Sequence, residues 1–377
     1  MISSMLHLSR ILPIGLLACT AMACANMNTP AQQPAPPTAS TSMEAPPPPP
    51  APPAPPTSGT TTQTVPATTK QASDRPIFGF NAKGNVDVDM QTSYADDYLA
   101  RITAPGAKAN LAIRVTGGTV SQTTKGTDWT DHAIGKWAAL QQKHGFRLIY
   151  VVNGNEAPAA QAATIQRWMD AGANFDFIEM MNEYYLPKFD KGETQHGEVT
   201  RRVTPEIYVN EILPAFWKEL DRFQLPYYVI FAPSREGTGA QDRMENWNRV
   251  VAQAVKKTYA DRDLNATIHL YARNVAGIGQ FDYDQIDRLR ALLPHGRHIA
   301  VTEAGFLDKE ADMNNVGPQI RSYYHNILQH LHAGDYLLDQ VLYNPSKGKN
   351  PGNLSPHRQG ITPKGQAVLQ FINNNYQ

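Results

Sequence analysis

Eight short apolar runs, spaced between residue 77 and the C-terminus, restrict what this chain can fold into. They read IFGFNA, NLAIRV, RLIYVV, FDFIEMMN, YYVIFA, ATIHLYA, HIAVTEA and YLLDQVLY, and start at residues 77, 110, 147, 175, 227, 266, 298 and 336. Each is rich in β-branched or aromatic side chains, which is typical of strands that are covered on both faces. The chain therefore predicts eight buried strands.

The segments between these runs predict helices, most clearly at 160–172, 205–223, 240–259, 283–293, 318–332 and 363–374. Three of them begin with proline, which is tolerated in the first helical turn because its missing amide hydrogen has no partner there. Strands that alternate with helices form parallel sheets with right-handed crossovers. Eight such units in residues 76–377 predict an α/β fold, a closed (β/α)₈ TIM barrel. An open doubly wound sheet is the alternative, although no GxGxxG motif follows the first strand.

Residues 1–24 predict a lipoprotein-type signal peptide. A single arginine, Arg10, precedes an apolar stretch from Ile11 to Ala23, which is too short to span a bilayer and ends in small residues. Both cysteines lie here, and each follows an alanine. We expect lipidation of Cys24, because this choice leaves a longer apolar core and no spare thiol. Cys19 is the alternative, and ordinary cleavage beside an incidental cysteine also stays open.

Residues 25–75 predict a disordered linker. Of the 29 prolines in the chain, 14 lie between Pro30 and Pro66, in a background of alanine, threonine, serine and glutamine. Such a segment buries too little apolar surface to offset the entropy of ordering, and its prolines keep it extended. We interpret it as a spacer between a membrane anchor and the domain at 76–377. A ligand for an aromatic groove of a partner is the alternative interpretation.

The overall charge gives no reason to expect an acidic partner. Lysine and arginine number 34, and aspartate and glutamate also number 34. A neutral folded part argues against nucleic acid and against an anionic membrane surface as partners, so we expect membrane contact only through the lipid anchor. No cysteine lies beyond position 24, which excludes a disulfide or a thiolate metal site in the folded part. We expect a monomer that needs no cofactor and no metal.

Two glutamates end predicted strands four and seven. Strand four finishes with Met181-Asn182-Glu183, and strand seven with Thr302-Glu303. A parallel barrel gathers the carboxyl ends of its strands at one mouth, so acids far apart in sequence can face one substrate there. Paired carboxylates are the groups that cleave glycosidic bonds. Glu156 and Glu236, after strands three and five, are rival carboxylates, whereas Glu179 lies deeper and is interpreted as a paired interior residue.

These motifs resemble clan A of the glycoside hydrolases, which are retaining (β/α)₈ enzymes. The resemblance implies that Glu183, in the Asn-Glu pair of strand four, is the acid/base and that Glu303 is the nucleophile. It also implies that Asn182 binds the sugar 2-hydroxyl. In such an enzyme the two carboxyl groups stand about 5 to 5.5 Å apart.

Two further motifs strengthen the resemblance. Arg114 ends strand two ahead of Gly117 and Gly118, and strand six carries His269-Leu270-Tyr271. The clan's pattern implies that Arg114 and Tyr271 hold the nucleophile ionised. Residues at i and i+2 of a strand share a face, so His269 points the same way as Tyr271. His269 is either a sugar contact or a hydrogen-bonded histidine of the barrel interior.

Aromatic rings near the mouth are candidate sugar platforms, because pyranose faces stack on them. Trp129 follows strand two, Tyr184 and Tyr185 follow strand four, and Tyr343 follows strand eight, where many members of the clan have a tryptophan instead. The tryptophans on predicted helices are assigned to packing: Trp137, Trp168, Trp217 and Trp247.

The resulting hypothesis is an exported, lipid-anchored retaining glycoside hydrolase that acts on a polysaccharide or oligosaccharide and faces the periplasm or the cell surface. Without lipidation the protein would be secreted. A carbohydrate-binding or surface scaffold barrel without turnover is the alternative, but it has no need of a matched acid and nucleophile. A metal-dependent barrel enzyme is a third possibility, for which no histidine cluster with ligand spacing is found in the sequence.

Overall fold

The computed structural model describes residues 74–193, 199–234, 241–272, 278–279, 281–306, 317–339, 342 and 361–377, all within the compact unit Thr68–Gln377. The predicted signal peptide, both cysteines and nearly all of the predicted linker lie outside the described residues, as do Glu236 and Tyr343. Within the described part, no helix is both long and apolar enough to cross a membrane.

Eight parallel strands close into one barrel in sequence order, which confirms the predicted (β/α)₈ fold. Each strand pairs with its two neighbours, and β1 closes the ring against β8. The strands are β1 Ile77–Asn81, β2 Leu111–Val115, β3 Arg147–Val151, β4 Phe175–Met180, β5 Tyr227–Ile230, β6 Leu264–Ala272, β7 Ile299–Phe306 and β8 Tyr336–Asp339. We call their carboxyl ends the mouth of the barrel and their amino ends the foot.

The helices surround the barrel. They are α1 Val88–Ala100, α2 Pro105–Ala109, α3 Thr124–Thr127, α4 Asp131–His144, α5 Pro158–Asp170, α6 Pro187–Lys191, α7 Pro205–Ile207, α8 Leu213–Leu220, α9 Gln241–Gln253, α10 Gln285–Leu292, α11 Gly317–Gln329 and α12 Pro363–Asn375. The predicted helix at 205–223 is α7 and α8 joined by a π-helical turn at Tyr208–Ile212 and ended by a 3₁₀ turn at Asp221–Phe223. Helices α1 and α4 were not among the six predicted.

Local sequence explains several helix ends. Helix α4 starts where the Thr130 hydroxyl accepts a hydrogen bond from the amide of Ala133, and it ends at Gly145 in the left-handed conformation. Helix α12 starts in the same way, since the Thr362 hydroxyl accepts from the amide of Gly365 and proline is the first helical residue. These caps set the residues at which α4 and α12 begin and at which α4 ends.

The barrel interior is divided into an apolar foot and a polar mouth. An aromatic and aliphatic cluster, which we call the foot cluster, fills the lower interior; it consists of Ile77, Ala112, Ile149, Phe177, Tyr228, Ala300, Tyr336 and Leu338. Its Phe177 and Tyr228 rings stack with centroids 3.8 Å apart. A larger apolar cluster lies between the strands and the helices. The barrel is therefore a packed core rather than a pore, and the polar network around Arg114 lies above the foot cluster.

Candidate active site

Four strands bring the predicted site residues to the mouth. Arg114 lies on β2, Glu183 follows β4, His269 and Tyr271 lie on β6, and Glu303 lies on β7. Strands β6 and β7 pair so that His269 stands beside Glu303. The barrel thus assembles in one place residues that are widely separated in the sequence.

Glu303 is buried and held by three donors. One carboxylate oxygen accepts from Arg114 Nη1 at 2.6 Å and from the amide of Gly118 at 2.8 Å, and the other accepts from the hydroxyl of Tyr271. Burial alone would raise the pKa of Glu303, but the charges of His269 and Arg114 and the Tyr271 hydroxyl lower this pKa to about 2. Glu303 is therefore ionised at neutral pH.

Arg114 is the centre of the network, because all five of its N–H groups are used within a fully buried guanidinium. Nε and Nη2 donate to the two oxygens of Glu179 at 2.6 and 2.9 Å. Nη1 donates to Glu303 and to Asn81 Oδ1, and Nη2 also donates to Asn182 Oδ1 at 2.8 Å. Such a saturated fork has a fixed plane, so it fixes the carboxylates that it binds.

Glu183 occupies a different environment. It is only partly buried, its Oε1 accepts from the hydroxyl of Tyr185 at 3.1 Å, and the same oxygen lies 3.1 Å from His269 Nδ1. Its backbone φ is 51°, and Met181 just before it has a φ of 73°. Residues other than glycine rarely adopt this left-handed region, and where they do, they often lie at functional sites.

His269 joins the two glutamates. Its Nδ1 is 3.1 Å from Glu183 Oε1, and its Nε2 is 3.8 Å from Glu303 Oε1. Burial by itself would lower the pKa of His269, but the charge of Glu303, the nearby carboxylate of Glu179 and the hydrogen bond to Glu183 raise this pKa to about 10. One imidazole ring thus faces both carboxylates, and the two glutamates belong to one network at the mouth. His269 is a charged member of the network.

The side-chain amide of Asn182 belongs to the same network. Its oxygen accepts from Arg114, so the amide nitrogen is the group that can point a donor at a substrate hydroxyl. The side chain is 2% exposed, as expected for a residue that forms the floor of a cleft.

Three of the predicted sugar platforms have buried rings. Trp129 is 1% exposed and packs edge-to-face on Trp168, with centroids 4.9 Å apart. Tyr184 is fully buried, and its ring packs on Phe189 at 4.3 Å. Both loops fold back over the barrel wall, so neither ring offers a free face. Tyr185 is also buried, and its hydroxyl touches Glu183 instead of its ring lining a subsite.

The remaining assignments are simpler. The four tryptophans assigned to packing are each at most 1% exposed, which confirms that assignment. The carboxylate of the rival acid Glu156 accepts hydrogen bonds from the side-chain amides of Asn153 and Gln161 and, at 2.5 Å, from the hydroxyl of Thr127. It is therefore held by residues that flank β3 in the sequence. Among the described residues, the group with metal-ligand spacing is Asp284, Asp287 and His330 near α10 and α11; it includes no mouth residue.

Asn81 and the amide of Gly118 were missed by the sequence reasoning. Asn81 ends β1, accepts from Arg114, and donates to the carbonyls of Thr302 and Asp339 at 2.7 and 2.8 Å. A polar residue at the end of an otherwise apolar strand was the available signal. Gly118 has a φ of 73°, which explains why glycine stands where a backbone amide must meet Glu303.

Fold and site together define a (β/α)₈ barrel with two unlike glutamates at its mouth. The structure is similar to a family 39 glycoside hydrolase from the gut symbiont Bacteroides cellulosilyticus WH2, with a TM-score of 0.51 and 13% identity over 81% of this chain and 65% of that one. It is also similar to a glucosidase from Croceicoccus marinus, with a TM-score of 0.50 and 11% identity over 80% of this chain and 68% of that one. No protein-family model and no curated protein sequence matches the chain. At such identities the likeness establishes the fold, and the chemistry has to be argued from the side chains.

Proposed function

We propose that this protein is a retaining glycoside hydrolase in which Glu303 is the nucleophile and Glu183 the acid/base. The observation that carries the proposal is the unequal setting of the two acids. Glu303 is buried among donors that favour its ionised form, whereas Glu183 is partly exposed at the rim of the same cleft. Unequal environments for two nearby carboxyl groups are what separates an acid from a nucleophile.

The two steps use these settings in turn. A Glu303 oxygen bonds to the anomeric carbon while the glycosidic bond breaks, and the Glu183 proton moves to the departing oxygen. Glu183 then takes a proton from water, and the water oxygen displaces Glu303 from the anomeric carbon. The Asn182 amide is placed to bind the 2-hydroxyl, a contact that strengthens as the sugar ring flattens. Carboxylate chemistry of this kind requires no cofactor.

The substrate class we propose is a polysaccharide or oligosaccharide. Support comes from the balanced charge of the chain and from a mouth whose donors and acceptors suit hydroxyl groups. A carbohydrate-binding barrel without turnover is the competing outcome of the test below.

We also propose that the chain is exported and held at a membrane through lipid on Cys24, with residues 25–75 as the tether. The apolar stretch from Ile11 to Ala23 and the proline-rich composition support this. Cys24→Ser should release the protein from membranes into the soluble fraction, while Cys19→Ser should leave it bound. Release by Cys19→Ser alone would move the lipid to that cysteine.

The function is tested with Glu183→Ala on an aryl glycoside that the native protein cleaves. We expect turnover to fall by about 10²–10⁴-fold, the usual contribution of a positioned general acid and base. Added azide should restore part of the rate, because azide attacks the glycosyl-enzyme without base catalysis and forms a glycosyl azide of retained configuration. A native protein that binds oligosaccharides but cleaves none would support the binding barrel instead.

A further inference from the structure

A third carboxylate lies beneath the proposed catalytic pair. Glu179 is on β4, four residues before Glu183, and it is fully buried. Its two oxygens accept from Arg114 Nε and Nη2, and Oε1 also accepts from the Thr302 hydroxyl at 3.1 Å. His269 Nε2 lies 3.8 Å from that oxygen. Since Glu179 is beneath the cleft, it acts on the reaction only through these neighbours.

The first consequence is geometric. Two parallel N–H···O bonds between a guanidinium and a carboxylate fix the plane of both groups. With Nε and Nη2 held by Glu179, the Nη1 edge of Arg114 can point only toward Glu303, which it meets at 2.6 Å. A guanidinium without this anchor can adopt other rotamers, and Glu303 would then lose one of its three donors.

The second consequence is electrostatic. Arg114 and His269 are buried cations, and a buried charge without a counter-charge is strongly unfavourable. Glu303 can balance only one of them. Glu179, which accepts from Arg114 and lies 3.8 Å from His269, supplies the second negative charge.

We propose that Glu179 is a positioning residue for the proposed hydrolysis: it orients Arg114 toward Glu303 and supplies the counter-charge that keeps His269 protonated beside Glu183. The kinetic part rests on the proposed function; the effect on His269 does not. The titratable and charged groups that face this network come from six parts of the chain: Lys83, Arg114, Glu183, Tyr208, His269, Tyr271 and Glu303.

The direct test is the protonation of His269 in the native protein and in Glu179→Gln, followed by NMR of ¹³C-labelled histidine and assigned by the loss of the signal in His269→Asn. The native imidazole should stay charged to about pH 10. In Glu179→Gln the midpoint should fall by about one pH unit or more, since removing an adjacent counter-charge has effects of that size. An unchanged midpoint would overturn the electrostatic part of the proposal.

Kinetic measurements separate the electrostatic role of Glu179 from its geometric role. In Glu179→Gln, kcat should fall about 10- to 100-fold with KM nearly unchanged, and the alkaline limb of the pH–rate profile should move to lower pH. Glu179→Asp keeps the charge but withdraws the carboxylate, so the His269 midpoint should stay near that of the native protein while kcat still falls. A native kcat in Glu179→Asp would overturn the geometric part, and this variant decides the matter if Glu179→Gln fails to fold.

A matched control lies at the foot. Asp335 is also fully buried and accepts from Arg290 at 2.6 Å, but it is at the opposite end of the barrel. Asp335→Asn should lower stability as Glu179→Gln does and leave the His269 midpoint and the pH–rate limbs where they are. A native protein that cleaves no glycoside would contradict the proposed function, and the His269 titration would still decide the role of Glu179.

Discussion

The mouth and the foot of this barrel both pair an arginine with a fully buried carboxylate, Glu179 and Asp335 respectively, but the pairs have different surroundings. At the foot, Asp335 accepts from Arg290 and from the amides of Ile299 and His332, which joins loops to the barrel. At the mouth, Arg114 distributes its donors among side chains that converge on a cleft. The pair at the foot connects loops to the barrel, whereas the polar groups at the mouth orient the carboxylates of Glu179 and Glu303.

The apolar layer sharpens this contrast. Phe177, Tyr228 and Tyr336 pack together across the foot, with Phe177 and Tyr336 centroids 5.0 Å apart. Above them the interior carries ionised groups that could not persist without partners. We therefore expect the foot to contribute mainly stability and the mouth the proposed chemistry, and variants at the two ends should separate these properties.

The largest effect is expected from Glu303→Gln at the mouth. The amide cannot form the covalent intermediate, so kcat/KM should fall by about 10⁴-fold or more while the fold persists. Stopped assays with an aryl glycoside measure the rate, and circular dichroism checks the fold. Glu156→Gln makes the same chemical change in the rival acid and should retain activity; the reverse pattern would transfer the nucleophile to Glu156.

At the foot, Phe177→Ala is expected to lower stability and to leave catalytic activity unchanged. Removing a fully packed ring should lower the free energy of unfolding by about 3–5 kcal/mol through lost burial and an unfilled cavity. Urea denaturation measures the loss, and kcat per folded molecule should remain that of the native protein. A fall in kcat greater than the folded fraction explains would show that the foot cluster also shapes the mouth.

A smaller effect concerns the pH dependence of stability. The pKa of His269 is raised from 6.5 to about 10, so its contribution is complete below about pH 6.5 and is lost as the pH rises through 10. The pKa of Glu303 is lowered from 4.5 to about 2, so its contribution is complete above 4.5 and is lost as the pH falls through 2. Urea midpoints of native protein and His269→Asn should therefore converge between pH 6.5 and 10. Parallel curves would contradict the charged histidine, and His132→Asn, at an exposed site, is the control.

The smallest effect is expected from Trp129→Phe. Because the ring packs on Trp168, the variant should lose about 1–3 kcal/mol of stability and leave KM for an oligosaccharide nearly unchanged. Isothermal urea curves and initial rates measure the two quantities. A large rise in KM with native stability would restore Trp129 as a sugar platform.

Features that depend on strand periodicity, such as the strands and the residues at their ends, could be predicted from the sequence. Features that depend on long-range packing, such as the burial of loop side chains, could not. Eight apolar runs and the ends of two of them were enough to place Glu183 and Glu303 at one mouth. The burial of Trp129 and Tyr184 was not predictable, because an aromatic residue in a loop can either face the cleft or fold back on a helix. The bounds of helix α4 were not predicted, although Trp137 was assigned to a helix and Thr130 and Gly145 bracket α4 with cap residues.

The network around Arg114 shows the same limit. The position of Arg114 at the end of β2 predicted its contact with Glu303, the proposed nucleophile. Its bond to Glu179 was not predicted, because that bond depends on how β2 and β4 face each other across the barrel. Side-chain direction along one strand can be derived from parity, whereas contact across the interior requires the closed barrel.

The most direct test of the central claim is trapping of the covalent intermediate. The native protein would be incubated with a 2-deoxy-2-fluoro glycoside of a cleaved sugar that carries a good leaving group, then digested and analysed by mass spectrometry. If Glu303 is the nucleophile, one fluoroglycosyl unit is added to the peptide that contains Glu303, and none is added in Glu303→Gln. A label on another carboxylate, or steady turnover with inverted products and no label, would rule out Glu303 as the nucleophile of a retaining enzyme.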